Sequence, residues 1–223
     1  MGKQSKPSLE FETPLLERGE LVVGIDEVGR GALAGPLVVG AVLLRASNPI
    51  PEGLTDSKLL SAVRRTALEG PIKEWCHSFG IGWASAREID EWGMRTALAV
   101  AATRALNELS EKPTVALIDG NLNLLISPIQ RESALEVPPL PYGSMPVSTL
   151  IKGDRKSGAI AGASVLAKVA RDRFMRELST RYPSYGWERN KGYGTESHMQ
   201  AIREFGTCDQ HRQSWKLPEV ELT

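Results

Sequence analysis

Apolar residues along the chain follow two repeating patterns, which alternate over most of its length. Short apolar runs rich in β-branched residues predict buried strands. Five such runs occur, at Leu21–Ile25, Leu37–Leu44, Phe79–Ser85, Thr114–Ile118 and Val147–Ile151. Longer segments with apolar residues at helical spacing predict helices. These helices are expected from Asp56 or Ser57 to about Leu68, at Glu91–Leu109, at Ile160–Leu178, and at Thr195–Phe205 with Thr195 as the N-cap.

The order of these elements indicates the fold class. Strands come early and helices lie between them, which favours an α/β or mixed sheet with flanking helices. No internal repeat or low-complexity linker divides the chain. A proline-rich stretch, Ser127–Pro146, is predicted to be a surface loop inside one domain, because the apolar segments on both sides of it are needed for one core.

The composition of the 223 residues narrows the class of protein. Hydrophobic residues make up 41% and charged residues 24%, which excludes a disordered chain and a fibrous repeat. No apolar run approaches the roughly 20 residues of a membrane span, and the polar Met1–Pro7 leads into no signal peptide. Two cysteines, Cys76 and Cys208, exclude a disulfide framework. We therefore expect a cytoplasmic protein with no membrane partner.

Charge is balanced over the whole chain but is distributed unevenly along it. The formal net charge is zero, which by itself argues weakly against a nucleic-acid partner. Residues 1–150 hold 14 basic and 18 acidic side chains, whereas residues 151–216 hold 13 basic and 7 acidic ones. Two interpretations stay open: an ordinary fluctuation, or a basic surface in the C-terminal third that faces an acidic site elsewhere.

Carboxylates follow three of the predicted strands. They are Asp26 and Glu27 after the first strand, Asp119 after the fourth and Asp154 after the fifth. Because sites in open α/β sheets form at strand ends, we expect these side chains to converge. Clustered carboxylates repel one another unless they are protonated or bind a cation, and an all-oxygen set suits Mg²⁺ or Mn²⁺ better than zinc. Such a cluster fits two-metal phosphodiester chemistry.

Six segments in a fixed order resemble those of bacterial ribonuclease HII. They are Gly24-Ile25-Asp26-Glu27-Val28-Gly29-Arg30-Gly31, Asp56-Ser57-Lys58, Asp119-Gly120, the stretch from Lys152 to Arg173, Lys191-Gly192-Tyr193-Gly194-Thr195 followed by His198, and His211-Arg212. The resemblance covers roughly Leu21–Lys216, so we expect one catalytic domain at 21–216 with tails at 1–20 and 217–223. It implies a ribonuclease H-like fold, in which helices flank a mixed sheet and a small helical extension follows at the C-terminus.

The resemblance also implies an activity and its cofactors. The expected enzyme is a type HII ribonuclease H, a phosphodiester hydrolase that takes part in ribonucleotide excision repair. It would cleave the RNA strand of RNA–DNA hybrids and nick duplex DNA on the 5′ side of a single ribonucleotide, leaving a 5′-phosphate and a 3′-hydroxyl. We expect a monomer that binds two Mn²⁺ or Mg²⁺ ions per site. The catalytic and metal-binding residues carried over are Asp26, Glu27, Asp119 and Asp154.

Substrate contacts are implied in the same way. The loop Gly29-Arg30-Gly31 is expected to read the ribose 2′-hydroxyl through backbone groups, which distinguishes RNA from DNA. Tyr193 is expected to stack on the sugar beside the RNA–DNA junction, with a half-buried core aromatic as the alternative. Phosphate contacts, with an ion pair or a solvated face as the alternative, are expected at Lys58, Lys168 and Arg171.

Two other functions stay open from the sequence. A DNA-specific nuclease or integrase-like enzyme of the same fold would not need to recognise a 2′-hydroxyl. A non-catalytic hybrid-binding module would be expected to lack one of the carboxylates, and all four are present. Cleavage of a one-ribonucleotide duplex, compared with an all-DNA duplex and with EDTA added, separates these possibilities.

Overall fold

One five-stranded sheet forms the centre of the protein. The computed structural model describes residues 6–126 and 133–220. The strands are β1 (Val22–Val28), β2 (Leu37–Leu44), β3 (Ser78–Ala84), β4 (Val115–Asp119) and β5 (Val147–Leu150). Their order across the sheet is β3-β2-β1-β4-β5. β1, β4 and β5 are parallel, whereas β2 is antiparallel to β1 and to β3. The mixed sheet expected from the sequence is confirmed.

Helices cover both faces of this sheet. They are α1 (Thr13–Leu16), α2 (Ala62–Trp75), α3 (Ala86–Asn107), α4 (Gly158–Arg181), α5 (Trp187–Asn190) and α6 (Glu196–Phe205). α3 packs on one face, and α2 and α4 pack on the other. α5 and α6 form a separate apolar cluster with the C-terminal part of α4, around the fully buried Trp187. This cluster is the small helical C-terminal extension.

Glycines let α4 lie directly on β1 and β2. A Cβ atom on Gly24 would be 2.3 Å from the carbonyl carbon of Ala159, and one on Gly40 would be 2.3 Å from the carbonyl oxygen of Ala163. Neither position has room for a side chain, because the helix backbone occupies that space. The close approach also brings Ser164 of α4 into hydrogen-bonding contact with the Asp26 carboxylate on β1.

The predicted strands are confirmed with small shifts at their ends, and Leu37–Leu44 agrees residue for residue. The helix predicted from Asp56 or Ser57 to about Leu68 is wrong at both ends. Asp56 caps only a 3₁₀ turn, Ser57–Leu59, because Leu60 is extended (φ −94°, ψ 141°) and ends that turn. The side chain of Ser61 then accepts a hydrogen bond from the Arg64 N–H, so α2 begins after Ser61 and runs to Trp75.

Two other helices begin earlier than predicted, because of their caps. Ser85 and Glu88 form a reciprocal capping box, so α3 starts at Ala86 instead of Glu91. Gly93, with φ 75° and ψ 161°, kinks α3, and the predicted helix corresponds mainly to the part of α3 after this glycine. Ser157 caps α4, which starts at Gly158 instead of Ile160. The last helix, α6, is confirmed with Thr195 as its cap.

The segment before β1, which the sequence suggested to be a tail, contacts the start of α4. Ser8 forms a β-bridge with Ser157. Glu12 is fully buried, and its carboxylate accepts hydrogen bonds from the Ser157 hydroxyl at 2.6 Å and the Ala159 N–H at 2.9 Å. The Ala159 N–H has no acceptor within the first turn of α4, so Glu12 satisfies one free backbone donor there.

Parts of two other sequence predictions lie outside the described residues. In the proline-rich stretch these are residues 127–132, and in the C-terminal tail they are residues 221–223. In the part that is described, Tyr142 is buried and donates a hydrogen bond to the Asn107 side chain at 2.9 Å. No helix within 6–126 and 133–220 is both long enough and apolar enough to cross a membrane.

Candidate active site

The carboxyl ends of β1, β4 and β5 meet at one edge of the sheet, because these three strands are parallel. Ile25 pairs with Ile118, so the next residues, Asp26 and Asp119, lie side by side at the end of that ladder. β5 ends at Leu150, and a 3₁₀ turn, Gly153–Arg155, follows it. The strand topology therefore brings the predicted carboxylates to one edge.

Asp26 lies at the centre of this edge and is almost completely buried, with 6% of its surface exposed. One carboxylate oxygen accepts a hydrogen bond from the Glu27 N–H at 2.7 Å. Burial, and then the negative charges of Glu27 and Asp119, raise the pKa of Asp26 well above its usual value. Glu27 is half-buried, and burial raises its pKa also, against the opposing effect of Arg30, whose guanidinium is 3.7 Å away.

The turn after β5 connects the other two carboxylates. The Gly153 N–H donates a hydrogen bond to Asp119 Oδ1 at 2.6 Å, which holds the turn against the end of β4. The next residue, Asp154, is 4% exposed. Burial, together with the charges of Asp56 and Asp119, raises the pKa of Asp154 to about 6. Each of these side chains therefore lies in the electrostatic field of another carboxylate.

Lys58 is a cation that interacts with several carboxylates of the cluster. Burial alone would lower its pKa, but the charges of Asp26, Asp154, Asp56 and Asp119 outweigh that effect and raise it. The Lys58 side chain is exposed, as a residue that contacts a phosphate must be. The structure thus brings Lys58 to the four predicted carboxylates.

Asp56 is a member of this site to which the sequence assigned only a capping role. It is 1% exposed, and it accepts hydrogen bonds from the Lys58 N–H at 2.8 Å and from Arg155 Nε and Nη2 at 3.0 and 2.8 Å. Its carboxyl group also contacts that of Asp154. Asp56 therefore connects the turn that carries Lys58 to the turn that carries Asp154. The Asp56-Ser57-Lys58 motif was the available signal for this role.

The donor chemistry of the site fits a hard divalent cation. Among the described residues, no three His, Cys, Asp or Glu side chains are already grouped at distances that would hold an ion. However, Asp26 and Asp154 are buried, and neither forms a salt bridge within the described part of the chain. Burial first, and then repulsion between neighbouring carboxylates, raises the pKa of both groups, and a bound cation would offset each effect. Carboxylate oxygens are the ligands that Mg²⁺ and Mn²⁺ prefer.

A glycine loop directly follows the strand that bears Asp26 and Glu27. Gly29 has a φ of +86°, and a Cβ atom there would be 2.2 Å from Arg171 Nε, so only glycine fits. Arg30 and Gly31 are exposed, and nothing lies within 4 Å of a Cβ atom placed on Gly31. In the described residues, no hydrogen bond uses the backbone N–H of Arg30 or of Gly31. The loop therefore presents two free donors beside the carboxylates.

Comparison with known proteins identifies the family. The model of the ribonuclease HII family matches residues 23–218. The chain belongs to the ribonuclease HII family. It is 42% identical to a ribonuclease HII of Geobacillus sp. (strain WCH70) over 214 residues, which are 96% of this chain and 70% of that relative. It is 43% identical to a ribonuclease HII of Jannaschia sp. (strain CCS1) over 210 residues, 94% of each chain.

Solved structures of ribonucleases share the fold. Ribonuclease H2 from Pyrococcus horikoshii OT3 superposes with a TM-score of 0.66 at 26% identity, covering 87% of this chain and 93% of that one. The structure of a PCNA:RNase HII complex from Archaeoglobus fulgidus gives 0.68 at 26% identity, covering 91% and 98%. The chain is a type HII ribonuclease H, a hydrolase of a divalent-metal-dependent family that acts on RNA–DNA hybrids.

In this ribonuclease HII, Tyr193 lies next to the glycine loop. The carbonyl oxygen of Gly192 accepts hydrogen bonds from the N–H groups of Leu33 at 2.8 Å and Ala34 at 3.1 Å. The Tyr193 ring is half-buried, with Lys168 Nζ 6.0 Å from its centroid. Lys168 Nζ donates a hydrogen bond to Asp172 Oδ1 at 2.5 Å. This ion pair is the alternative to the phosphate contact expected at Lys168.

The structure does not support the predicted phosphate contact at Arg171. Arg171 is fully buried, and its guanidinium donates to the carbonyl oxygens of Pro36 at 2.8 Å, Lys191 at 2.8 Å and Ala34 at 3.2 Å. Its Cζ also lies 5.3 Å from the centroid of the Tyr193 ring. Arg171 is therefore a buried connection between two segments, with no surface left for a phosphate.

The sequence assigns no role to His198 or Arg212. Both are fully buried, His198 in the C-terminal extension and Arg212 against the glycine loop. His198 Nδ1 is 2.9 Å from the Tyr193 carbonyl oxygen, and Arg212 Nη2 donates to the Gly29 carbonyl oxygen at 2.7 Å. Both motifs were visible in the sequence. The partner of His198 is only five residues away, whereas the partner of Arg212 lies 183 residues away along the chain.

Proposed function

We propose that this ribonuclease HII nicks duplex DNA on the 5′ side of a single embedded ribonucleotide, as well as cleaving the RNA strand of hybrids. The observation that supports this specificity is that Arg30 and Gly31, three and four residues after Glu27, are exposed and that neither backbone N–H has a hydrogen-bond partner among the described residues. A 2′-hydroxyl oxygen can accept hydrogen bonds from such donors, whereas a deoxyribose offers no acceptor there. The donors stand beside the carboxylate cluster, so recognition and cleavage would occur at the same nucleotide.

The proposed metal ligands are Asp26, Glu27, Asp119 and Asp154. When bound, Mg²⁺ or Mn²⁺ ions supply an activated water and stabilise the charge on the leaving oxygen, which leads to 5′-phosphate and 3′-hydroxyl products. The protein holds the four carboxylates on three parallel strand ends, and the Gly153 N–H keeps Asp119 in place. Lys58, exposed beside these carboxylates, would bind a non-bridging phosphate oxygen of the substrate.

Tyr193 is the proposed sensor of the nucleotide next to the ribose. Its half-buried ring lies over the cations of Lys168 and Arg171, and the preceding Gly192 is hydrogen-bonded to the segment that follows the glycine loop. A ring at this place would stack on a deoxyribose at the RNA–DNA junction. Because the 2′-hydroxyl donors and Tyr193 belong to connected segments, they would read two adjacent sugars at a fixed spacing.

We propose that the protein acts as a monomer in the cytoplasm. The two free thiols, Cys76 and Cys208, suit a reducing compartment. Gel filtration with light scattering at micromolar concentration tests the monomer, and a dimer that dissociates only with loss of activity would contradict it.

The central test compares three duplexes of one sequence that carry, respectively, no ribonucleotide, one ribonucleotide, and an all-RNA strand. With Mg²⁺ or Mn²⁺, we expect a single nick 5′ of the lone ribonucleotide, cleavage of the RNA strand, and no cleavage of the all-DNA duplex. EDTA should abolish both reactions. Cleavage of the all-DNA duplex would instead support a DNA-specific nuclease, and binding of the hybrid without any cleavage would support a non-catalytic module.

A further inference from the structure

The guanidinium of Arg212 lies directly beneath the glycine loop. Arg212 is fully buried, and its Nη1 and Nη2 donate to the carbonyl oxygens of Arg30 at 3.0 Å and Gly29 at 2.7 Å. Its Nε and Nη2 also donate to the carbonyl oxygen of Gly35, at 3.2 and 3.1 Å. One side chain from the C-terminal extension therefore binds three carbonyl groups around a single turn of backbone.

Arg171 binds two further carbonyl groups of the same segment, those of Ala34 and Pro36. Within the described residues, neither Arg171 nor Arg212 forms a salt bridge with a carboxylate. Their buried charges are compensated by peptide dipoles instead. A buried cation without such partners is costly, so the carbonyl groups cannot turn away from the two guanidinium groups without a large loss of stability.

The orientation of these carbonyl groups fixes the orientation of the next N–H groups. Every peptide bond in the described chain is trans, and in a trans peptide the C=O and the following N–H point in opposite directions. The Gly29 and Arg30 carbonyl groups point inward to Arg212, so the N–H groups of Arg30 and Gly31 point away from it. Both residues are exposed, and neither N–H group has a hydrogen-bond partner among the described residues.

We propose that Arg212 is a positioning residue for ribose recognition: it orients the two backbone N–H groups of the glycine loop toward the 2′-hydroxyl of the substrate. This inference rests on the proposed reading of the 2′-hydroxyl by the loop. It assigns a role to the last motif of the family pattern, His211-Arg212, which lies 183 residues after Gly29. Arg212 touches neither the substrate nor the carboxylates.

The chemistry requires arginine and not simply a positive charge. A guanidinium presents five N–H donors in a rigid planar fork, and Arg212 uses three of its nitrogens on three carbonyl groups. A lysine ammonium at this position keeps the charge but has a single nitrogen atom, so it cannot span the Gly29, Arg30 and Gly35 oxygens together. Arg212→Lys therefore removes the orientation while it retains the charge and most of the length.

The test measures binding in EDTA, where no cleavage is expected, to a one-ribonucleotide duplex and to an all-DNA duplex of the same sequence. Wild-type protein should prefer the ribonucleotide duplex, and Arg212→Lys should lose on the order of tenfold of that preference with little change in all-DNA affinity, because the two N–H groups would no longer be held toward the 2′-hydroxyl. Hydrogen exchange of residues 29–36 in the free protein should rise in the variant. Arg189→Lys is the matched control, since its side chain is 92% exposed in the same extension.

The outcomes separate this proposal from the one on which it rests. If wild-type protein shows no preference for the ribonucleotide duplex, the proposed function is wrong. If wild type has the preference and Arg212→Lys keeps it with unchanged exchange at 29–36, the positioning role is wrong. Should Arg212→Lys not fold, ¹⁵N-labelled wild type decides: the Arg212 guanidinium N–H signals must shift together with the Arg30 and Gly31 amide signals on binding the one-ribonucleotide duplex and not the all-DNA duplex. Guanidinium signals that stay unchanged while the two amides shift overturn the positioning role, and amides that do not shift overturn the proposed reading of the 2′-hydroxyl.

Discussion

His198 and His211 face each other inside the C-terminal extension, with their Nε2 atoms 3.2 Å apart. The Tyr193 carbonyl can only accept, so His198 Nδ1 must carry a proton and donate to it at 2.9 Å. The Cys208 N–H donates to His211 Nδ1 at 3.0 Å, so the proton of His211 is on Nε2 and points to His198 Nε2. Both rings are therefore neutral, and together they hold the backbone of Tyr193.

The first prediction concerns pH. Burial, and then the neighbouring imidazole, lower the pKa of His211 from 6.5 to about 4, and burial lowers the pKa of His198. Between pH 6.5 and 4 the unfolded chain binds more protons than the native state. The contribution of the neutral histidines to the free energy of unfolding should therefore be fully present above pH 6.5 and be lost as the pH drops toward 4. Thermal unfolding midpoints of wild type and His211→Gln measure this, and the variant should show a shallower loss.

His77→Gln is the matched control for the loss of an imidazole, since His77 is exposed and lies outside the C-terminal extension. If His211→Gln and wild type lose stability in parallel between pH 7 and pH 5, the neutral histidine pair does not limit the acid stability.

The second prediction concerns the metal site. Asp119→Asn keeps an oxygen that can accept from the Gly153 N–H, so the fold should persist, but the carboxylate charge is lost. We expect cleavage of a hybrid with Mg²⁺ or Mn²⁺ to fall by at least about a hundredfold, because even outer-shell changes at metal sites cost 10–100-fold. Thermal unfolding gives an independent readout: Mn²⁺ should raise the midpoint of wild type by mass action and raise that of the variant less. Normal cleavage by Asp119→Asn would contradict the proposed ligand set.

The third prediction concerns Tyr193. Tyr193→Ala removes the ring and should reduce nicking at a single ribonucleotide by about ten- to a hundredfold, which corresponds to the loss of one aromatic stacking contact. Affinity for an all-RNA hybrid should fall less, since the carboxylates and Lys58 remain. Tyr193→Phe keeps the ring and should behave like wild type. Equal losses on both substrates would argue against a stacking role at the junction.

The fourth prediction concerns Asp56, which joins the turns of Lys58 and Asp154. Asp56→Ala leaves Arg155 without this carboxylate and the Lys58 N–H without its acceptor. Unfolding stability should fall by about 1–3 kcal/mol, the usual cost of a buried polar group that loses its partner. If the main effect is on the position of Lys58, KM for the hybrid should rise more than kcat falls. Asp209→Ala, at an exposed carboxylate in the extension, is the control.

The strands and the carboxylate edge were predictable, since both depend on local signals. A β-branched run such as Leu37–Leu44 has no competing structure, and parallel strands necessarily bring the acids that follow them to one edge. Helix starts were less predictable, because capping by residues such as Ser85 and Ser61 overrides the apolar periodicity that comes later in the helix.

The roles of the buried arginines could not be predicted. When a buried guanidinium pairs with a carboxylate, the sequence contains an acidic residue that can be considered as its partner. Arg171 and Arg212 instead bind backbone carbonyl groups, which every residue has. In the sequence, Arg171 therefore resembles any other basic residue of a charged helix, and this pattern favours a phosphate contact. Only the tertiary structure shows which carbonyl groups lie within its reach.

The 183-residue separation of Gly29 and Arg212 also has a consequence for biosynthesis. The chain emerges from the ribosome with its N-terminus first, so the strands that carry the carboxylates emerge long before Arg212, which binds the glycine loop. A chain that ends before Arg212 lacks the guanidinium that binds the Gly29, Arg30 and Gly35 carbonyl groups. The proposed selectivity for ribose would therefore be gained only after Arg212 has been synthesised.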